Sequence, residues 1–174
     1  MIQTQSCKAF VLKRKLLLEK DISLALFTEE FGKLTVLAKG VRKITSRRSA
    51  HLQSGSYVDL RLNKYNGIYY VQSSSLISGF MNLRTEDFID VIYLVLHTLN
   101  SLLPEEVPEV EIFKEVKLFF IKLGKGDNKK QVLAKTLSKI LHILGYTDRE
   151  NTLPKLLSII EERSDRKLPR HVIM

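Results

Sequence analysis

The sequence predicts an α+β protein in which a small β barrel is followed by an α-helical domain. In the first part of the chain, apolar and polar residues alternate in short runs, which is the pattern of half-buried strands. From Thr85 onward, the apolar residues recur with the period of an amphipathic helix. We therefore divide the chain into a barrel domain, residues 1–83, and a helical domain, residues 84–174.

The first domain contains five segments with the composition and alternation of strands, at residues 8–19, 23–28, 33–40, 56–64 and 68–77. Gly32 supplies a turn between the second and third segments, and Asn66-Gly67 is a strong hairpin signal between the fourth and fifth. Five short strands favour closure over an open sheet, and a five-stranded Greek-key barrel of the OB type fits the count. A unit of this size buries little core alone, so we expect it to pack against helices.

The helical domain is predicted to contain four helices, starting near Thr85, Pro108, Asn128 and Leu153. Thr85 is suited to cap the first helix, whose opening turn carries Glu86 and Asp87, as the helix dipole favours. Pro108 is suited to the first turn of the second helix because its missing N–H costs nothing there.

The positive charge of the chain is confined to its first half. The net charge is +9; residues 1–84 hold 14 Lys or Arg and 5 Asp or Glu, whereas residues 85–174 hold 14 of each kind. This asymmetry indicates a polyanion-binding surface on the first domain. An anionic membrane surface, or a general role in solubility, remains an alternative from charge alone.

The segment AKGVRKITSRRSAHL, residues 38–52, concentrates this charge. Six Lys or Arg and no acidic residue lie between Phe31 and Val58. A basic loop that leaves a barrel strand is suited to neutralise phosphates, and loops bordering an OB barrel bind nucleic acid strands. The predicted DNA contacts are Lys39, Arg42, Lys43, Arg47 and Arg48, with Lys13 and Arg14 on the first strand and Arg61 and Lys64 on the fourth. The alternative is a solvated loop without a ligand.

Tyrosines are interleaved with these basic residues. They are Tyr57, Tyr65, Tyr69 and Tyr70, and every base offers a π-face on which such a ring can stack. Tyr57, Tyr65 and Tyr69 are the predicted stacking residues. The alternative is that some of them belong to the barrel core.

Catalytic and metal-binding patterns are not found. The four histidines are scattered, and the sequence contains no Gly-rich phosphate loop, HExxH or GxSxG motif. Cys7 is the only cysteine, so neither an intramolecular disulfide nor a cysteine zinc cluster can form. We therefore expect a protein that is not an enzyme and uses no cofactor. We also expect it to be cytosolic, because no signal-peptide or membrane-spanning segment is evident.

Two stretches resemble the N-terminal OB domain of RecO, the bacterial recombination mediator. They are LFTEEFGKLTVLAKGVRK, residues 26–43, and SRRSAHLQSGSYVDLRL, residues 46–62. The likeness extends over residues 8–80. Beyond it, LHILGY, residues 141–146, is similar to the end of the family's central helix.

The resemblance implies an OB barrel joined to a helical domain and a non-enzymatic activity. RecO-like proteins bind single- and double-stranded DNA, anneal strands coated with single-strand-binding protein, and join RecR to load RecA in gap repair. The DNA contacts carried over by position are Lys39, Arg42, Lys43, Arg47 and Arg48, together with Arg14 and Arg61. The implied location is the bacterial cytoplasm, at the nucleoid.

The chain also departs from the family pattern. Many members place a zinc-ribbon-like set of cysteines after the LGY segment, where this chain has TDRENTLPKLL. Zinc is therefore not expected, and the C-terminal part is expected to be shortened. The acidic, Phe-terminated tail of single-strand-binding protein would need a basic-rimmed apolar groove in the helices. The predicted rim consists of Lys122, Lys125, Lys129 and Lys130.

Two other classes of function remain open from the sequence. The barrel suits an RNA- or ribosome-binding module, which a preference for RNA would reveal. The basic loop also suits an adaptor for an acidic protein partner, which capture of that partner without nucleic-acid binding would reveal.

Overall fold

The computed structural model describes residues 3–18, 21–41, 48–148 and 151–168; the side chains of Gln3 and Arg48 lie outside this description. The chain forms two compact units. The first consists of Met1–Gly79 and Pro104–Pro108, and the second of Phe80–Leu103 and Glu109–Met174. The assignment of a nucleic-acid-binding domain to residues 1–83 and of a helical domain to residues 84–174 stays a prediction.

The first unit is a closed barrel of the strands β1 (Gln3–Leu16), β2 (Ile22–Thr28), β3 (Gly32–Ala38), β4 (Tyr57–Tyr65) and β5 (Ile68–Ser78). Their order around the barrel is β1-β2-β3-β5-β4. β1 pairs antiparallel with both β2 and β4, and β3 closes the barrel by pairing in parallel with β5. This arrangement confirms the predicted α+β class with an N-terminal OB-type barrel.

The barrel interior is filled by alternate residues of every strand, as the two-residue period of a strand requires. The buried cluster comprises Cys7, Ala9, Val11, Ile22, Leu24, Leu26, Leu34, Val36, Ala38, Val41, Leu52, Val58, Leu60, Leu62, Tyr69 and Val71. Val41 and Leu52 come from the connection between β3 and β4, which also contains the short helix α1 (Arg48–His51).

A bulge in β1 changes which of its residues point inward. Val11 pairs with Leu26 and Lys13 with Ala25, so Leu12 is the extra residue. Beyond the bulge, Lys13 and Lys15 lie opposite the half-buried Ala25 and Ser23 on the outer side. Arg14 is opposite the fully buried Leu24 and therefore belongs to the inner side.

The hairpin between β4 and β5 is tight. Asn66 and Gly67 have φ angles of 48° and 78°, and Tyr65 pairs with Ile68 directly across the turn. Two successive positive φ angles match a two-residue type I′ turn, whose twist suits the flanking strands. The predicted hairpin is thus present.

Residues 104–108 form part of the barrel unit through contacts with the start of β3. Glu105 makes a parallel bridge to Lys33, and the Glu106 N–H donates to the Lys33 carbonyl at 2.9 Å. Gly32, with φ 73°, faces Val107 so closely that a Cβ there would lie 2.0 Å from the Val107 carbonyl oxygen. Glycine is required at this position by both conformation and space.

The second unit is helical. A short 3-10 turn, Met81–Leu83, precedes α2 (Glu86–Leu102), α3 (Val110–Gly124), α4 (Lys129–Ile143) and α5 (Leu153–Ser164). α4 packs against α2, α3 and α5 through its buried face. Phe119 and Phe120 of α3 are buried, and Phe120 stacks on Phe80 with ring centroids 4.3 Å apart.

The helix starts differ in detail from the predictions. Thr85 is the N-cap of α2, but its side chain makes no capping hydrogen bond. Pro108 lies before the N-cap of α3, which is Glu109, so its assignment to the first helical turn is wrong. Asn128 caps α4 with its side chain, which accepts a hydrogen bond from the Gln131 N–H at 3.1 Å.

Candidate nucleic-acid interface

The outer face of the three adjacent strands β3, β5 and β4 carries a groove with aromatic and basic lining. Leu37 of β3 pairs with Tyr70 of β5, and Tyr70 pairs with Asn63 of β4. All three side chains point outward, because the inward positions between them belong to the buried core. Lys39 lies two residues beyond Leu37 and so occupies the same face.

The groove has a volume of about 380 Å³ and is lined by Lys39, Asn63, Tyr65, Tyr70 and Val71. The Lys39 ammonium lies 5.1 Å from the centroid of the Tyr70 ring, a cation–π distance. Tyr65 is diagonal to Tyr70 across the β4–β5 pair, and such diagonal neighbours are within reach of aromatic side chains. No lining residue is acidic.

Only part of the predicted basic loop can be placed. Lys39 is exposed and lines the groove. Arg42, Lys43 and Arg47 lie outside the described residues. Arg48 is the first residue of α1, but its side chain also lies outside the description. Their role as DNA contacts stays a prediction.

Among the predicted cations on the strands, Arg61 lies on the same outer face of β4 as the groove residue Asn63. It is exposed, two residues before Asn63, between Ser6 of β1 and Ser73 of β5. Lys13 is exposed on β1 opposite Ala25 and does not line the groove.

By its pairing with Leu24, Arg14 lies on the inner face of β1, where it is half-buried; its role as a phosphate contact stays a prediction. Its Nε is buried and has no hydrogen-bond partner among the described residues. The bulge after Val11 causes this placement, since one extra residue moves every following side chain to the other face.

Lys64 is engaged within the barrel unit rather than open to a phosphate. Its Nζ donates to the Tyr69 hydroxyl at 2.9 Å and lies 3.6 Å from Glu106 Oε1. The hydrogen bond to Tyr69, aided by Glu106, raises the pKa of Lys64 above its ordinary value. The role of Lys64 as a DNA contact stays a prediction, and a phosphate would have to compete with these two partners.

Of the three predicted stacking tyrosines, only Tyr65 is accessible. Tyr57 is 9% exposed and stacks on Phe10 at a centroid distance of 4.7 Å. Tyr69 is 7% exposed, with Lys64 over its ring at 4.4 Å. Burial removes both from the predicted set, whereas Tyr65 is 54% exposed.

Sequence reasoning missed Asn63 as a groove residue, whereas it named Tyr70 among the tyrosines interleaved with the basic residues. The signal was present in the Asn66-Gly67 turn. The two-residue turn pairs Tyr65 with Ile68. Because the pairing continues without a bulge next to the turn, Asn63 pairs with Tyr70 on the same face of the hairpin as Tyr65.

The helical unit contains a second groove, between α3 and α4. It has a volume of about 480 Å³ and is lined by Glu115, Leu118, Lys122, Lys135, Ser138, Lys139, His142 and Asp148. Glu115 is buried and accepts a hydrogen bond from Lys139 Nζ at 2.8 Å. This contact raises the pKa of Lys139.

The predicted rim of the tail-binding groove is only partly present here. Lys122 lines the α3–α4 groove, whereas Lys125, Lys129 and Lys130 do not. Lys129 instead donates to the Asp87 carbonyl at 2.7 Å, because the start of α4 lies beside that of α2. The other lysines that line the α3–α4 groove are Lys135 and Lys139 of α4, rather than the predicted lysines of the inter-helix loop.

The described residues show neither a metal-binding cluster nor a membrane-spanning helix. No group of three or more His, Cys, Asp or Glu side chains there is arranged to hold a metal ion. None of the described helices is long and apolar enough to cross a bilayer. Cys7 is buried, and burial, together with the nearby Glu30 and Asp59, raises the pKa of its thiol to about 12.

Comparison with known proteins gives a consistent result over the barrel. The family model described as "Recombination protein O N terminal" matches residues 1–80. Several relatives carry the name DNA repair protein RecO. The protein from Syntrophobacter fumaroxidans is 26% identical over 156 residues, or 89% of this chain and 60% of the relative.

The protein from Clostridium novyi is 28% identical over 141 residues, 80% of this chain and 55% of the relative. The protein from Alkaliphilus metalliredigens is 35% identical over 79 residues, 45% of this chain and 32% of the relative. The aligned part of the chain thus spans at most about 60% of these relatives. Residues 1–80, which contain the N-terminal barrel, are thus similar to the N-terminal domain of the RecO family.

Proposed function

We propose that this chain is a DNA-binding recombination mediator that acts in DNA repair. One observation supports the proposal most strongly: the excess positive charge and the match to the family model lie in the same part of the chain. The net charge of +9 resides in residues 1–84, and residues 1–80 are the part that matches the RecO N-terminal model. The relatives named DNA repair protein RecO support the same process.

The proposed mechanism is electrostatic and requires no catalytic residue or cofactor. The outer face of the barrel binds the backbones of single- or double-stranded DNA through Lys39, Arg61 and the basic loop. Binding two strands at one positive surface lowers their mutual repulsion, so complementary bases meet and pair more often. Affinity for phosphates is largely independent of base sequence and falls steeply with salt.

In this proposal the chain works in the bacterial cytoplasm at the nucleoid, with RecR and single-strand-binding protein, to load RecA. The α3–α4 groove is the proposed site for the acidic, Phe-terminated tail of single-strand-binding protein. Leu118 offers apolar surface at the groove, and Lys122 and Lys135 offer charge complementary to acidic side chains.

The test of the mediator activity is the annealing rate of complementary oligonucleotides, with and without single-strand-binding protein. The triple variant Lys39, Arg42 and Lys43→Glu should abolish the acceleration. A matched variant with the same change of charge, Lys155, Arg166 and Lys167→Glu in the helical unit, should retain it. Equal rates with and without the wild-type protein would contradict the proposal and direct attention to RNA or an acidic protein partner.

The tail groove has its own test, in which a synthetic acidic peptide ending in Phe is titrated into the full chain. Lys122 and Lys135→Glu should eliminate binding. Lys125 and Lys130→Glu is the matched control, because these two lysines lie near the same helices but do not line the groove. Loss of binding in the control variant alone would place the site at the inter-helix loop.

A further inference from the structure

The hairpin tyrosine Tyr65 holds an exposed aromatic ring in a defined position. It is the last residue of β4 and is 54% exposed, although it is flanked by an ordered turn. Because Asn66 and Gly67 fix that turn, little backbone entropy remains to be lost when a ligand contacts the ring. The ring is therefore an exposed apolar surface that is already ordered.

The surroundings of Tyr65 combine a second ring, a cation and a polar amide. Tyr70 lies on the neighbouring strand β5, Lys39 directly follows the end of β3, and Asn63 lies on the same face of β4. The Asn63 Oδ1 accepts a hydrogen bond from the Thr4 hydroxyl at 2.9 Å, which orients the amide beside the groove. This set of groups offers stacking, a hydrogen bond and a positive charge within one space.

The chemistry of the groove identifies the occupant. An aromatic face attracts a flat π-system, and an ammonium beside it attracts an anion linked to that system. The absence of acidic residues from the lining means that no like charge opposes such an anion. A nucleotide combines both features, whereas an aliphatic acidic side chain would leave Tyr65 without a stacking partner.

We propose that this groove binds one unpaired base of single-stranded DNA, stacked on Tyr65 beside Tyr70, with the adjacent phosphate at Lys39. The inference rests on the proposed DNA-binding function and adds to it a preference for single strands. A base within a duplex is covered on both faces by its neighbours, so only an unstacked base presents a face to Tyr65. The phosphates of the duplex would still contact the basic residues of the barrel.

The test compares two strands that carry the same phosphates. One is an oligothymidine and the other is an abasic strand of equal length, and both are titrated into the full chain at low salt. Stacking of one base contributes enough for Tyr65→Ala to weaken oligothymidine binding by about tenfold. The abasic strand should bind Tyr65→Ala and wild type equally, which also shows that the variant is folded.

Two further variants isolate the ring from its surroundings. Tyr65→Phe retains the stacking face and should keep wild-type affinity for oligothymidine. Tyr93→Ala is the matched control, because Tyr93 is 48% exposed but lies on α2 in the helical unit. The chain contains no tryptophan, so quenching of tyrosine emission by a stacked base is directly measurable and should decrease in Tyr65→Ala.

The outcomes separate this inference from the proposed function. If wild type binds both strands equally and Tyr65→Ala changes neither, the stacking site is refuted while phosphate binding by the barrel stands. If wild type binds neither strand at low salt, the DNA-binding function itself is refuted. A loss confined to oligothymidine and to Tyr65→Ala supports the site.

Discussion

From the contact between Gly32 and residues 104–108, we predict how much Gly32→Ala lowers the free energy of unfolding. Gly32→Ala introduces a Cβ that would lie 2.0 Å from the Val107 carbonyl oxygen, so the segment must move. A φ of 73° adds a left-handed strain of about 1–2 kcal/mol for alanine. Displacing the segment also removes the hydrogen bond from the Glu106 N–H to the Lys33 carbonyl, which contributes about 1 kcal/mol.

The ion pair between Lys33 and Glu105 is lost as well, but it adds little because Glu105 is 55% exposed. The expected loss in the free energy of unfolding is therefore about 3 kcal/mol. Gly67→Ala is the matched control: its φ is 78°, yet nothing lies within 4 Å of the added Cβ. It should lose only the strain, about 1–2 kcal/mol.

Urea unfolding followed by circular dichroism measures both losses. A second measurement is cleavage by a glutamate-specific protease, which should cut at Glu105 or Glu106 faster in Gly32→Ala than in Gly67→Ala. Equal destabilisation by the two substitutions, with an unchanged cleavage rate, would show that the contact between Gly32 and Val107 does not stabilise the barrel unit.

Three other predictions concern single contacts. Cys7 should resist alkylation at pH 8 in the folded chain, because its pKa is raised to about 12, and rapid labelling of native protein would contradict this. Folding stability should fall as pH rises from about 9 toward 12, because only the unfolded thiol ionises in this range. Lys139→Met should reduce the free energy of unfolding by about 1–3 kcal/mol, because it leaves the buried Glu115 carboxylate without this partner. Adding Glu115→Met should recover part of the loss, and no recovery would argue against the pairing. Asn128→Ala should cost about 1 kcal/mol in unfolding free energy, whereas Asn128→Asp should cost much less, since only the latter keeps an oxygen that accepts from the Gln131 N–H.

The barrel was predictable because its local signals agree with one another. Alternation placed Val58, Leu60 and Leu62 on one face of the fourth strand, and all three are buried in the barrel. The Asn66-Gly67 signal located the hairpin that fixes the register of β4 with β5. Helical periodicity located α2 to α5 in the same way, within a few residues of their observed ends.

Side-chain orientation was harder to predict where one residue breaks the alternation. The bulge at Leu12 turns Arg14 inward, and no composition signal marks that extra residue. Tyr57 lies at an outward-facing position of β4, but its ring is buried because it stacks on Phe10. This contact joins strands that are distant in sequence. Such contacts are set by tertiary packing rather than by local pattern.

The segment 104–108 illustrates a further limit. Its bridge to Lys33 joins residues far apart in the sequence, and its two glutamates read equally well as a solvated helix start. The requirement for glycine at position 32 was visible only as a turn signal, while the close approach of Val107 is visible only in three dimensions.

The proposed binding of DNA by the barrel, through the phosphate backbone, is tested most directly by the salt dependence of affinity. The affinity of the full chain for an oligothymidine strand is measured over a salt series, for wild type and for Lys39, Arg42 and Lys43→Ala. Neutralising three phosphate contacts should reduce the slope of log affinity against log salt by about 2, since each contact on a single strand contributes about 0.7. Lys155, Arg166 and Lys167→Ala should leave the slope unchanged. A wild-type slope near zero, or an equal slope in the barrel variant, would contradict the account.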